Sequence, residues 1–301
     1  MRKILVTGYS GFVAGSVIAQ APSDWEVHAV GRSDPPRDSS NLKHHRIDLT
    51  KSNEIKHLFD EFYFDSVIHA AAIANIDFCE KNNRKADEIN VNNTEILVNL
   101  CREYETKFVF CSTDNVFDGE EGNYSEDAVV NPINYYAATK VRAEQLIQSQ
   151  SMKWVVARIS LVIGLPVLGR GNSYLSGLIE RLQNGEKELA PENEIRTPID
   201  VVTLGKSLLE LAENDYYGTI HLAGNSVLTR CEMARNIAQF LDLSSTSIVA
   251  TDSNAIAGRA PRPDDVSLDN SRANGVLQTP MLSLEEGLER TLNFSVTGGG
   301  E

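Results

Sequence analysis

A tyrosine and a lysine four residues apart are the clearest candidates for chemistry in this sequence. Tyr136 and Lys140 lie in NPINYYAATKVRAEQ (131–145), and on a helix this spacing places both side chains on one face. A free tyrosine hydroxyl has a pKa of about 10, and a neighbouring cation favours its ionised form. The pair therefore predicts a general acid that protonates a developing alkoxide, or a base in the reverse direction.

Small polar residues end the strand that is predicted just before this pair. Ser112, Thr113 and Asp114 lie in CSTDNVFDG (111–119), at the carboxyl edge where parallel α/β sheets bind their ligands. A hydroxyl at this edge can donate a hydrogen bond to a carbonyl oxygen as negative charge builds up on that oxygen. We therefore expect a hydroxyl of this segment to act together with Tyr136 and Lys140.

A glycine-rich turn, VTGYSGFVAG (6–15), lies between the first predicted strand and the first predicted helix. Gly8 permits the tight turn, and Gly11 allows the backbone to approach a pyrophosphate whose charge then meets the helix N-terminus. The spacing is G-x-x-G-x-x-A, so Ala14 stands where a third glycine would pack the helix against the strand. The turn predicts a dinucleotide site that includes Gly8, Ser10 and Gly11.

The end of the second predicted strand bears on which dinucleotide is bound. It reads VGRS (30–33), with no carboxylate before Asp34. NAD sites usually carry an acidic residue here that binds the ribose hydroxyls, whereas Arg32 can hold a 2′-phosphate. We therefore expect NADP(H), with NAD(H) as the alternative. The remaining residues expected to line this cofactor are Asp48 and Leu49 near the adenine, and the small residues Ala70, Ala71 and Ala72.

Strand and helix patterns alternate along the first half of the chain and position these residues. Predicted strands cover 2–7, 26–30, 44–47, 66–70, 107–112 and 154–159, and predicted helices cover 12–20, 52–62, 85–103 and 134–149. Such alternation implies βαβ units and a parallel sheet with helices on both faces. We therefore predict an α/β fold with a doubly wound parallel sheet in a dinucleotide-binding domain of residues 1–164.

The pattern changes after about residue 164, where glycines crowd together. Helices are predicted near 173–184, 201–214 and 228–241, with a strand at 219–223 and a loop at 258–265. We expect residues 165–296 to form a smaller substrate-binding lobe whose segments could in part return to the sheet. Residues 297–301 are expected to be a disordered tail.

Composition limits the classes of function. The chain has 301 residues, of which 28 are Lys or Arg and 42 are Asp or Glu, so its formal net charge is −14. This acidity argues against nucleic-acid binding, and no apolar stretch approaches the ~20 residues that span a membrane. The four cysteines lack metal-ligand spacing. We predict a cytoplasmic protein with reduced thiols, no metal site, no signal peptide, and no nucleic-acid or membrane partner.

Four segments together resemble the extended short-chain dehydrogenase/reductase superfamily: TGYSGFVAG, CSTDNVFDG, NPINYYAATK and ARISLVIG (157–164). The similarity is greatest to dTDP-4-dehydrorhamnose reductase-like proteins, which also have a late segment similar to APRPDDVSLD (260–269). Two positions depart from the family pattern. Ala137 stands where glycine usually follows the tyrosine, and Asn115 stands where tyrosine usually follows the Ser-Thr-Asp motif of 112–114.

The resemblance implies a Rossmann-type domain with Thr113, Tyr136 and Lys140 as the catalytic triad. Tyr136 and Lys140 would also contact the cofactor, and Thr113 and Asp114 would face the sugar. The resemblance further implies structural support from Asn90, and a pyrophosphate site at Gly11, Phe12 and Val13.

The C-terminal lobe is expected to supply substrate specificity. Arg196, in EIRTPIDVV (194–202), and Arg259 and Arg262, in the proline-rich loop, could bind a nucleotide diphosphate. His221 lies in a predicted strand and is interpreted as a packed core histidine.

These features favour an NADPH-dependent reductase of a nucleotide-activated keto-sugar, in which Tyr136 donates a proton to the carbonyl oxygen. One alternative is a nucleotide-sugar epimerase or dehydratase with tightly bound NAD, against which Arg32 argues. The other is a non-catalytic NADP-binding regulatory subunit that resembles the β-subunit of methionine adenosyltransferase. The expected partner is a nucleotide-sugar substrate, and a homodimer is left open.

Overall fold

The computed structural model describes residues 1–33, 40–168, 173–255 and 258–297, without the side chains of 295–297. Its strands are Lys3–Thr7 (β1), Glu26–Gly31 (β2), Leu42–Arg46 (β3), Ser66–His69 (β4), Lys107–Thr113 (β5), Trp154–Ile159 (β6), Val162–Ile163 (β7), Glu188–Pro191 (β8), Ile195–Arg196 (β9), Ile199–Asp200 (β10), Gly218–Leu222 (β11), Leu228–Thr229 (β12) and Ile248–Thr251 (β13).

Helices connect these strands. The α-helices are Phe12–Gln20 (α1), Ser52–Phe62 (α2), Ile76–Lys81 (α3), Asn83–Asp87 (α4), Asn93–Glu103 (α5), Tyr135–Gln148 (α6), Tyr174–Gln183 (α7), Val201–Glu213 (α8), Arg230–Phe240 (α9), Ser271–Val276 (α10) and Leu284–Thr297 (α11). A π-helical turn covers Glu88–Asn92, and 3₁₀ turns cover Asp114–Val116 and Ser253–Ala255.

A seven-stranded parallel sheet forms the centre of the molecule, in the order β11-β6-β5-β4-β1-β2-β3. The strand order reverses between β1 and β4, and ligands of such sheets bind at this switch point, beyond the carboxyl ends of the strands. Most residues of β1, β2, β4, β5 and β6 are buried, as expected for strands covered on both faces. The predicted α/β, doubly wound, Rossmann-type fold is confirmed.

Two apolar clusters cover the two faces of this sheet. On one face, α1 and α8 pack against the strands through residues such as Val17 and Leu208. On the other face, α2, α5 and α6 contribute residues such as Phe59, Leu97 and Ile147. Because helices hold both faces, the carboxyl edge of the sheet is where a ligand can enter.

The structure differs from the predicted elements in four helical regions, one of which is α10 (Ser271–Val276), which was not predicted. The helix predicted over 85–103 begins at Asn83 and contains the π-helical turn Glu88–Asn92. Helix α3 was not predicted because it is only six residues long, too short to show a helical period; Asn75 caps it by accepting a hydrogen bond from the Phe78 N–H. Helix α11 was also missed, and its Leu284 and Leu288 are buried in the C-terminal core.

The C-terminal part of the chain has its own apolar cluster, built mainly from α7, α9 and α11. Two-stranded pairings of β7 with β10, β8 with β13 and β9 with β12 surround it. Strand β11 also lies beyond residue 164, yet it pairs with β6 in the central sheet. The division at residue 164 itself stays a prediction. The predicted tail lies outside the described residues except for Thr297, which ends α11.

The four cysteines, Cys79, Cys101, Cys111 and Cys231, are free and buried. Burial raises the pKa of each thiol, which keeps them protonated and unreactive near neutral pH. None of the described helices combines the length and the apolar character that a membrane crossing requires.

Candidate active site

The turn between β1 and α1 approaches the end of β4 very closely. Gly8 has φ +79°, and a Cβ added to it would lie 3.0 Å from the Ala71 Cα. Its N–H donates to the Val30 carbonyl at 2.7 Å, and the Gly11 N–H donates to the Gly8 carbonyl at 2.7 Å. Only glycine combines this backbone conformation with this approach.

A groove of about 210 Å³ opens above this turn, at the switch point of the sheet. It contains most of the residues predicted to bind the dinucleotide. These are Gly8, Ser10, Gly11, Arg32, Leu49, Ala70, Ala71 and Ala72.

Five residues predicted to contact the cofactor do not line the described groove: Phe12, Val13, Asp48, Tyr136 and Lys140. Tyr136 lines a neighbouring cavity, whereas Lys140 is not among the described residues that line either space. Phe12 and Val13 begin α1, behind the glycine turn. The Asp48 carboxylate accepts hydrogen bonds from the backbone N–H and the hydroxyl of Thr50, at 3.1 and 3.0 Å. These hydrogen bonds lower the pKa of Asp48, with Arg32 adding to the effect. Asp48 thus shapes the turn that brings Leu49 to the groove.

Arg32 is exposed and lines this groove together with Ser33. No Asp or Glu stands among the described residues that line it, and Asp34 lies outside the described part of the chain. The electrostatics of the groove therefore favour an anionic group beside Arg32.

Two asparagines near the π-helical turn contribute to the groove, and the sequence did not reveal the role of both. The Asn90 side chain accepts from the Ile73 N–H at 2.8 Å and donates to the Ile73 carbonyl at 3.1 Å, so it holds the segment that follows β4. Asn93 was not predicted; it lines the groove, and its buried Oδ1 has no partner among the described residues. A π-helical turn often marks a functional site, but no sequence signal predicts one here.

A second cavity, of about 290 Å³, lies at the carboxyl end of β5. The residues 70–76 connect the two spaces, because Ala72 and Ile73 line the groove while Ala74 and Ile76 line the cavity. Predicted site residues from distant parts of the chain meet in this cavity: Thr113, Asp114, Tyr136, Arg196, Arg259 and Arg262.

Thr113 and Asp114 form a hydrogen-bonded group at the base of this cavity. The Thr113 hydroxyl donates to Asp114 Oδ1 at 3.0 Å, and Asn115 Nδ2 donates to the same oxygen at 2.7 Å. Burial raises the pKa of Asp114, and the nearby Arg196 guanidinium opposes this rise. Asn115 Oδ1 has no partner among the described residues, at the position where the family pattern has tyrosine.

Tyr136 and Lys140 lie one turn apart on α6. Asn134 caps this helix by accepting a hydrogen bond from the Ala137 N–H at 2.9 Å. Burial raises the pKa of Tyr136, and a hydrogen bond with Thr113 opposes that rise. Burial also lowers the pKa of Lys140 to about 8. Both environments resist the ionised form of the side chain, so the Tyr136 phenol is protonated at neutral pH and Lys140 loses its charge above about pH 8. The lowered tyrosine pKa expected from a neighbouring cation is therefore not found, because burial has the larger effect.

A model of the family described as "RmlD substrate binding domain" matches residues 1–296. The chain belongs to this family. The resemblance to dTDP-4-dehydrorhamnose reductase-like proteins, drawn from the motifs, is therefore confirmed. The RmlD-family match runs through the glycine turn, the β5 edge, α6 and the C-terminal lobe alike.

Known relatives of this RmlD-family chain include one protein described as a reductase and one described as an enzyme subunit. The "Probable low-salt glycan biosynthesis reductase Agl14" of Haloferax volcanii is 27% identical over 289 residues, 94% of this chain and 95% of that protein. The "Methionine adenosyltransferase 2 subunit beta" of Bos taurus is 28% identical over 282 residues, 90% of this chain and 81% of that protein.

Solved structures of reductases share the fold along its whole length. A hypothetical dTDP-4-dehydrorhamnose reductase from Sulfolobus tokodaii has a TM-score of 0.83 and 29% identity, covering 96% of this chain and 99% of that one. A dTDP-4-dehydrorhamnose reductase from Bacillus anthracis, in complex with NADP, has a TM-score of 0.85 and 24% identity, covering 97% and 99%.

A buried ion pair holds the helix that carries Tyr136 and Lys140 in this RmlD-family protein. The Glu144 carboxylate, on α6, lies 2.9 Å from Arg158 Nη2, on β6, and the Ser112 hydroxyl also donates to Glu144. Arg158 Nη1 donates to the Glu126 carbonyl at 3.2 Å. This network ties α6, which carries Tyr136 and Lys140, to the ends of two neighbouring strands.

His221 matches its interpretation as a packed core residue. It is fully buried on β11, with its ring edge toward Phe117 at a centroid distance of 5.8 Å. Burial lowers the pKa of His221 to about 3, so the ring is neutral at physiological pH.

Proposed function

We propose that this protein is an NADPH-dependent reductase of a nucleotide-activated keto-sugar. The observation that carries this proposal is the shared segment 70–76, which joins a glycine-turn groove to a cavity lined by Thr113 and Tyr136. A dinucleotide in the groove and a carbonyl compound in the cavity would therefore be neighbours. When bound, NADPH would supply the hydride that reduces a carbonyl carbon.

Tyr136 is the proposed proton donor to the carbonyl oxygen. Because burial raises its pKa, the phenol is protonated at neutral pH and has a proton to give. Lys140, with a pKa of about 8, carries a positive charge at neutral pH and would stabilise the tyrosinate that forms. Thr113 would hold the carbonyl oxygen through its hydroxyl as charge develops there.

The proposed preference for NADPH rests on Arg32 and on the fit of the groove. Gly8 permits the tight turn that packs against Ala71, and the backbone of this turn lines the groove where a pyrophosphate would lie. Arg32, Ser10 and Gly11 would hold the phosphates, and Asn93 Oδ1 offers a buried acceptor to the rest of the cofactor. NADH remains the alternative cofactor.

The substrate class is proposed from the cavity and from the relatives. The Sulfolobus tokodaii and Bacillus anthracis proteins are described as dTDP-4-dehydrorhamnose reductases, and the Haloferax volcanii protein as a probable glycan biosynthesis reductase. Thr113, Asp114 and the arginines at 196 and 262 would contact such a substrate.

One observation favours a second function. The bovine relative is described as a subunit of methionine adenosyltransferase, and its identity to this chain is as high as that of the archaeal reductase. A regulatory subunit that binds NADP without reducing a sugar is therefore the second candidate.

A screen of NADPH oxidation separates these candidates. The purified chain is mixed with NADPH and the 4-keto-sugars of dTDP, UDP, GDP and CDP in turn, and the loss of NADPH absorbance is followed. A reductase oxidises NADPH with at least one of them, and Tyr136→Phe lowers that turnover by a factor of about 100 or more.

Tyr135→Phe is the matched control, because the Tyr135 hydroxyl donates to Asp87 at 2.9 Å instead of entering the cavity. This variant should keep wild-type turnover. Full activity of Tyr136→Phe would refute the proposed mechanism. No oxidation with any of the sugars, together with co-purification of a methionine adenosyltransferase, would favour the regulatory function.

A further inference from the structure

The cavity beside Thr113 and Tyr136 holds more positive than negative charge. Four arginines line it, at positions 196, 230, 259 and 262, against two carboxylates, Asp114 and Glu194. The chain as a whole has a net charge of −14, so this local excess runs against the overall charge. A ligand with about two negative charges would neutralise the cavity.

Arg196 has its guanidinium engaged by the protein. Its Nη1 donates to the carbonyls of Ile195 and Asp264 at 2.7 and 2.8 Å, and its Nη2 donates to the Pro263 carbonyl at 3.0 Å. Glu194 lies 3.6 Å from Nη2 and Asp114 lies 3.9 Å from Nε. These three hydrogen bonds hold Arg196 in the wall of the cavity and leave it fewer donors for a ligand.

The two arginines of the proline-rich loop each have a carboxylate partner. Arg259 Nη1 lies 2.9 Å from the Glu194 carboxylate. Arg262 Nη2 lies 3.0 Å from Asp77, and its Nη1 donates to the Ala260 carbonyl at 2.7 Å. A ligand would have to compete with these pairs for either guanidinium.

Arg230 differs from the other three. It begins α9, and its backbone N–H donates to the Glu194 carbonyl at 2.9 Å, which fixes it at the edge of the cavity. Its guanidinium lies 4.3 Å from the centroid of the Tyr174 ring, a neutral partner that orients the cation without cancelling its charge. Its Nε is buried without a partner, and no described carboxylate forms an ion pair with it.

We propose that Arg230 is the residue that binds the diphosphate of the nucleotide-activated substrate. This inference rests on the proposed function for its ligand class, and it adds a residue that neither the motifs nor the strand-edge argument indicated. Arg230 lies in the same cavity as the Thr113 hydroxyl and the Tyr136 phenol. A planar guanidinium matches phosphate oxygens in both charge and geometry, and the Arg230 Nε has no partner among the described residues.

Binding measurements test this inference apart from catalysis. With NADP⁺ present, calorimetry records the affinity of the full chain for dTDP, for UDP and for uncharged thymidine. Arg230→Gln should weaken the binding of both diphosphates by about 10- to 100-fold and leave thymidine unaffected. Arg230→Lys keeps the positive charge without the planar guanidinium, so it should lose less diphosphate affinity than Arg230→Gln.

Arg235→Gln is the matched control, since Arg235 is an exposed arginine on the same helix. Wild-type affinity for NADP⁺ in Arg230→Gln would show that this variant is folded. If the variant does not fold, the diphosphate affinity of Arg230→Lys, and the loss of that affinity when salt is added, are measured in its place. Unchanged diphosphate affinity in Arg230→Gln, or no diphosphate binding by the wild type, would overturn the inference. The reductase proposal is judged separately, by NADPH oxidation in the wild-type protein.

Discussion

The Lys140 ammonium nitrogen lies 4.0 Å from the centroid of the Phe110 ring. Both residues are buried, and they come from α6 and β5. The ring face attracts the cation, and the charge of Glu144 also favours it, yet burial is the larger effect and lowers the pKa of Lys140 to about 8. The lysine of the proposed triad therefore loses its charge at a pH not far above neutrality.

This pKa predicts how the proposed reductase depends on pH. The cation is present below about pH 8 and is lost as pH rises through that value, whereas the raised pKa of Tyr136 keeps the phenol protonated across the same range. The kcat/KM for NADPH should therefore fall about tenfold per pH unit above about pH 8. Lys140→Met should be slow and independent of pH in this window. A wild-type profile that stays flat through it would contradict the assignment of Lys140.

Arg32 should decide between the two nicotinamide cofactors. Arg32→Ser removes the proposed partner of the 2′-phosphate, so the KM for NADPH should rise by about 10- to 100-fold. The KM for NADH should hardly change, because NADH has no phosphate at that position. Steady-state kinetics with both cofactors measure the effect, and Arg102→Ser, at an exposed arginine on α5, serves as the control. Equal losses for both cofactors would argue against a 2′-phosphate site.

Gly8→Ala should impair cofactor binding through the backbone. The new Cβ would lie 3.0 Å from the Ala71 Cα in a segment with φ +79°, so the turn and the end of β4 must separate. We expect lower NADP⁺ affinity and a loss of stability in chemical denaturation. Gly185→Ala separates strain from crowding, because Gly185 has φ +69° and nothing within 4 Å of its added Cβ. The Gly185→Ala control should lower the free energy of unfolding by only about 1–2 kcal/mol and leave NADP⁺ binding intact.

The Glu144–Arg158 pair should be important for stability. Glu144→Ala would leave the Arg158 guanidinium buried without its carboxylate, 2.9 Å away in the wild type, and should lower the free energy of unfolding by about 3–5 kcal/mol. Urea denaturation measures this loss. Lys51→Ala, which removes an exposed pair with Glu54 at 3.2 Å, should cost less than about 1 kcal/mol. Similar costs for the two variants would mean that the buried pair does not anchor α6.

Much of this protein follows from local sequence. Runs such as Ile4-Leu5-Val6 are buried strands because apolar residues without alternation need cover on both faces. Gly8 marks its turn because other residues are strained at that φ. The spacing of Tyr136 and Lys140 assigns both to one face of a helix before any contact is known. The fold was predictable for this reason, and so was the place of Tyr136 and Lys140 on one helix.

Only the tertiary structure determined the features of the site that depend on contacts between residues distant in the chain. The sequence does not show that Arg196 is held by the carbonyls of 263–264 while Arg230 faces a neutral tyrosine. Asn93 looks like any helical asparagine until the groove and its unpartnered Oδ1 are seen together. Charge and hydrogen bonding at a site depend on neighbours in space, and local periodicity carries no record of those neighbours.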